Sequence, residues 1–218
     1  MNGRILTVLL GLMLSVFASA AVSNPITYTE TINTSSISGT TGSFYFQFNP
    51  GPSVAQSASL QIMNFLSDGA PVGSPVITGD VSGALPATIT FDNGTGFNDY
   101  FQGFTFGSTL SFLISLSGPA LTSPDGVSTS GSTFAFSMFS DVAGTKPTLT
   151  SDTINGFADV ITVNLDGSTT RTSYLPVNPV PEPSTLLLLI PALVILWSRT
   201  CLRQRQTDSE GARALAHL

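Results

Sequence analysis

Between Ala21 and Pro181 the chain carries ten carboxylates, Glu30 and nine aspartates, and only two cations, Lys146 and Arg171. Two well-placed carboxylates are enough to hydrolyse a glycosidic bond, so a carboxylate-dependent glycan-active enzyme is one chemistry this inventory permits. Most other routes fail for want of residues. The single His217 and the single Cys201 both lie near the C-terminus. The body therefore has no Ser-His-Asp triad, no Cys-His pair and no zinc set of ordinary ligands. It also has no P-loop and no dinucleotide fingerprint, and no cofactor is expected. Most of the aspartates sit beside Gly or Asn, as in Asp68-Gly69, Pro124-Asp125-Gly126 and Asp166-Gly167, a context whose first use is a turn. One stretch, FDNGTGFNDY, puts Asp92, Asn93, Asn98 and Asp99 on a single loop. These hard oxygens suit calcium, but their spacing is not that of an EF-hand, and a Gly-rich turn capped by the same side chains is the simpler account.

Aromatic residues are the other group able to recognise a ligand. Tyr100, Phe101, Phe104 and Phe106 cluster, as do Phe134, Phe136 and Phe139. Exposed on a sheet they would stack on sugar rings; in a body with no disulfide their first use is core. A body this poor in Lys and Arg cannot neutralise many phosphates, which argues against nucleic acid as a partner. Only 9% of residues are charged and 42% are hydrophobic, the opposite of the balance that keeps a chain disordered.

The elements that must position these residues read as β throughout. ITYTETI (26–32), SFYFQF (43–48), SLQIMNF (59–65), ATITF (87–91), YFQGFTF (100–106), TLSFLISL (109–116), TFAFSMF (133–139), ADVITVNL (158–165) and STTRTSYL (168–175) are short runs of strand composition, most alternating at period two. That is the strand signature. In SLQIMNF the alternation puts Leu60 and Ile62 on one face and Met63 and Phe65 on the other. Asp166-Gly167 between two runs predicts a two-residue hairpin. No stretch keeps helical period for three turns. The expectation is one all-β domain over 21–175, an antiparallel β-sandwich or jelly-roll-like fold.

Both ends differ from the body. Arg4, the apolar run from Ile5 to Phe17 and Ala18-Ser19-Ala20 form a signal peptide over 1–20, cut after Ala20 by signal peptidase during export. Residues 176–183 are proline-rich. The apolar run from Leu186 to Trp197 follows, about 18 Å long as a helix against a hydrocarbon core of roughly 30 Å. Flanking residues extend it to 184–202, near the lower limit for a span. Arg199, Arg203 and Arg205 then stop it, which places the basic tail, 203–218, in the cytoplasm.

Val180-Pro181-Glu182-Pro183-Ser184-Thr185, the apolar run and the arginine cluster, in that order, closely resemble the PEP-CTERM sorting signal of exported proteins from Gram-negative bacteria that make exopolysaccharide. That segment also carries the label ice-binding protein C-terminal domain, which is not an activity. The resemblance implies exosortase, a membrane protease-transpeptidase, as a partner acting at Val180 to Ser184. It also implies a transient single-pass membrane intermediate, delivery to the cell surface or extracellular matrix, and association with exopolysaccharide or biofilm. The residues from Gln206 to Leu218 continue past the arginines, where most such proteins stop. The body, with stretches such as FYFQFNPG and FNDYFQGFTFGSTLSF, resembles a small β-rich PEP-CTERM sub-family of unassigned activity, which implies one β-domain and nothing about its chemistry; the empty catalytic inventory is what points to a non-enzymatic domain.

Overall fold

The computed structural model describes residues 24–176. The expected signal peptide with Ala18 and Ala20, the sorting motif Val180 to Ser184, the 184–202 span and the Arg199, Arg203, Arg205 cluster lie outside them. Among the described residues, no helix is long and apolar enough to cross a membrane.

The described chain is all-β. Its strands are β1 (Ile26–Asn33), β2 (Thr41–Pro50), β3 (Ser59–Ser67), β4 (Ala70–Thr78), β5 (Val81–Ser82), β6 (Ile89–Asp92), β7 (Asp99–Thr105), β8 (Thr109–Ser117), β9 (Ser132–Phe139), β10 (Phe157–Val163) and β11 (Thr169–Ser173). One four-residue helix, α1 (Pro119–Thr122), and a single 3-10 turn (Ser35–Ile37) interrupt them. Five strands form one sheet in the order β1-β8-β3-β6-β5, and six form the other in the order β11-β10-β9-β2-β7-β4. Every pairing is antiparallel.

The sheets pack as a β-sandwich because each strand has one apolar face. In β2 the alternate residues Phe44, Phe46 and Phe48 are fully buried, while Tyr45 and Gln47 point the other way. Phe46 of the six-stranded sheet meets Phe112 of the five-stranded sheet with ring centroids 5.2 Å apart, and Phe112 also meets Phe136 at 5.2 Å. Edge-to-face pairs of this kind add to the burial of apolar area. Of the aromatic clusters, Tyr100, Phe104, Phe106, Phe134 and Phe136 go to the core as expected. Phe101 does not; it lies on the outer face of the six-stranded sheet, where Phe139 is also found but is buried.

Two local expectations are corrected. Phe65 does not sit on the face opposite Leu60 and Ile62. A bulge between Met63 and Leu66, with Asn64 at φ 53°, inserts one residue and reverses the phase. Phe65 therefore packs on Phe44 and Phe104, at 5.7 and 6.0 Å. The β10–β11 connection is a three-residue loop, Leu165-Asp166-Gly167, closed by Asn164 N–H donating to the Ser168 carbonyl. Gly167 takes φ 82° there, the αL position such loops require.

Candidate functional site

Seven of the ten carboxylates divide into two uses. Asp68, Asp125, Asp141, Asp152 and Asp166 cap loops. Asp141 Oδ1 accepts from the Thr145 and Lys146 amides, and Asp152 Oδ1 from the Ile154 and Asn155 amides. Hydrogen bonds donated to these carboxylates hold all five below the usual range, the Ser108 hydroxyl being foremost for Asp68 and the Ser128 amide for Asp125.

The second use is an ion cluster of two buried carboxylates and a partly exposed arginine. Glu30 occupies the inward phase of β1 with Tyr28 and Ile32, and Asp159 the inward phase of β10. Their exposures are 2% and 0%. Arg171 from β11 bridges them: Nε donates to both Asp159 oxygens at 3.1 and 3.2 Å, and Nη2 donates to Glu30 Oε1. The guanidinium also lies 5.5 Å from the Tyr28 ring centroid, and the Tyr28 hydroxyl bonds Thr169 Oγ1 at 2.6 Å. Burial, then the Asp159 charge, push Glu30 up to about 7 against the pull of Arg171. Burial likewise raises Asp159. Burial works against the Arg171 charge, but the two carboxylates raise its affinity for the proton overall. β1 and β11 are each the edge of their sheet, so the cluster fastens one sheet to the other at one edge of the sandwich.

The four calcium candidates do not converge. Asp92 ends β6 in one sheet and accepts from Ser59, whereas Asp99 begins β7 in the other sheet, within reach of Gln47. Asn93 and Asn98 are buried and engaged with backbone and neighbouring hydroxyls. Asn93 Oδ1 accepts the Ala58 amide, and its Nδ2 donates to Gln56 O and Ser132 Oγ. Asn98 Oδ1 accepts the Asp80 amide, and its Nδ2 donates to Phe48 O and Thr95 O. Among the described residues, no group of three or more His, Cys, Asp or Glu is placed to hold a metal ion.

A place able to hold a ligand lies elsewhere. A groove of about 480 Å³ lies on the outer face of the six-stranded sheet, within the size range of small-molecule sites. Tyr45, Gln47 and Phe101 supply its floor, with Phe139 and Phe157 at one side. Tyr45 and Phe101 are direct partners across β2 and β7, with centroids 5.8 Å apart and planes at 72°. Phe157 reaches this face because a bulge between it and Asp159 shifts the β10 register; without that extra residue the alternation would turn it toward the core. The loop from Ser140 to Gly156 folds back over the sheet and forms the wall with Thr145 and Asn155. Gly144, at φ 69°, lies against the Phe101 ring so closely that a Cβ there would come within 2.8 Å. The loop is pinned by the Asp141 and Asp152 caps and by Ser43 Oγ donating to Asp141 O at 2.8 Å. Burial, with Asp99 beside it, pushes the Tyr45 hydroxyl up to about 12, so it stays neutral.

Sequence reasoning missed this site because Tyr45, Phe157 and the 140–156 loop belong to no motif. The signal present was the outward phase of FYFQF. Compared with family models, with curated proteins and with solved structures, the chain matches none.

Proposed function

We propose that this chain is an exported β-domain sorted to the surface by exosortase, non-enzymatic, and associated with exopolysaccharide. The terminal signals around Ala18, Ala20 and Val180 to Ser184 support the route. The observation that carries the choice of binding over hydrolysis is a separation in space. The buried carboxylate pair, Glu30 and Asp159, is tied to Arg171, while the residues lining the groove include no Asp or Glu. A glycosidase needs two carboxylates across one cleft; the buried pair lies between the sheets, and a single carboxylate, Asp99, stands beside the outer-face groove.

We also infer a jelly roll with an extension. The pairs β1·β8, β2·β7 and β3·β6 are those of one long ribbon rolled on itself, and β9, β10 and β11 extend the second sheet beyond β2. The experiment is co-sedimentation of the protein with the producing cell's own polysaccharide. Retention in the polysaccharide fraction is the expected result. Free protein throughout would leave only a spacer role and overturn the association.

A further inference from the structure

We propose that the outer-face groove of the six-stranded sheet is a binding site for an uncharged oligosaccharide segment, held by Tyr45, Phe101 and Gln47. This rests on the polysaccharide reading above and names the site and the ligand class.

The chemistry follows from what the floor offers and what it withholds. β2 is interior to the sheet, paired with β7 on one side and β9 on the other, so its backbone groups are already hydrogen-bonded. A peptide cannot add a strand there, and recognition must come from side chains. Those side chains are aromatic rings beside planar or hydroxylic polar groups: the Tyr45 and Phe101 rings, the Gln47 amide, and Thr145 and Asn155 on the wall. A pyranose presents the matching pair of surfaces, an apolar face of C–H groups and a rim of hydroxyls that both donate and accept. Gln47 Nε2 is already turned toward Asp99 Oδ1 at 3.4 Å, and the Tyr45 hydroxyl lies beside the same carboxylate. That leaves acceptor lone pairs for sugar hydroxyls.

Charge selects the uncharged class. The body holds ten carboxylates against Lys146 and Arg171, and Arg171 is bound by Glu30 and Asp159. An anionic glycan would meet Asp99 beside the floor, where it accepts from Gln47, while the wall loop's one cation, Lys146, is exposed and offset by Asp141. The site is also built before any ligand arrives, since Asp141 and Asp152 fix the loop that walls it. Such preorganisation lowers the ordering cost of binding.

The test uses the full-length chain in calorimetric titration against neutral hexasaccharides of glucose, mannose and galactose, with an oligogalacturonate as the anionic probe. Binding is expected for at least one neutral probe and not for the anionic one. Two variants locate it. Tyr45→Ala with Phe101→Ala should weaken binding by on the order of ten-fold or more. Asn155→Trp leaves the sheet intact and fills the groove from its rim, and should abolish binding with an unchanged melting temperature. Leu66→Ser, in a different surface groove, should bind as the parent does. If the parent binds no neutral probe but co-sediments with native polysaccharide, this inference fails and the broader reading stands. Failure to bind either overturns both. Full binding by Asn155→Trp, or tighter binding of the anionic probe, overturns the site or the ligand class.

Discussion

Glu30, Asp159 and Arg171 make the residue-scale energetics explicit. Removing Arg171 would leave two buried carboxylates facing each other without a partner, the costly way to break a buried ion cluster. Arg171→Met is expected to lower stability by about 3 kcal/mol at pH 8, read by urea unfolding. The loss should shrink at pH 5, where the carboxyls take up protons; an equal loss at both values would contradict the account. The pH dependence has a definite sign. Glu30 is raised from 4.5 to about 7, so its contribution is complete below the unfolded value and is lost as pH rises through the folded one. The loop-capping aspartates are lowered, so theirs is present above their unfolded value and lost in acid. The melting temperature should therefore be highest near pH 5, roughly midway between these limits, and decline toward pH 8. Glu30→Gln should remove much of that decline, and an unchanged slope would assign it elsewhere. Asn98→Ala, which strands the Asp80 amide and the Phe48 carbonyl, is expected to cost about 2–3 kcal/mol.

At the scale of elements, close backbone approach decides which glycines matter. A Cβ on Gly42 would lie 2.1 Å from the Phe139 carbonyl oxygen of the neighbouring strand, whereas one on Gly96 meets nothing within 4 Å. Gly42→Ala is expected to cost about 2 kcal/mol or more, and Gly96→Ala less than about 0.5 kcal/mol. Equal unfolding midpoints for the two would show that β2 and β9 can separate freely. The strands that alternate were legible in the sequence, β1, β2, β7, β8 and β9 most clearly. β4 was not: Pro71, Gly73 and Pro75 break its pattern, and as an edge strand it buries almost nothing. The bulges at Asn64 and Ala158 were invisible because one inserted residue leaves composition unchanged while reversing every side chain beyond it. Those two shifts send Phe65 inward and Phe157 outward, and the second helps build the groove. Glu30 was legible as a charge in the inward phase of Ile26-Tyr28-Glu30-Ile32; its partner Arg171 comes 141 residues later in the chain, beyond any local pattern.

For the whole molecule, a β-sandwich without cysteine or histidine in its body is held, among the described residues, by apolar burial and one ion cluster. Calcium added after chelation is expected to leave its melting temperature unchanged, since the Asn93 and Asn98 amides already serve as struts; a clear rise would reinstate the FDNGTGFNDY loop as a cation site. The central claim is that this body is exported and released from a temporary membrane stop. Intact mass of the protein recovered from its own host tests that most directly. The account predicts a chain beginning at Ala21 and ending at or near Glu182, without the Leu186 to Trp197 run. A mass that retains residues 1–20, or one that keeps Trp197, would contradict it.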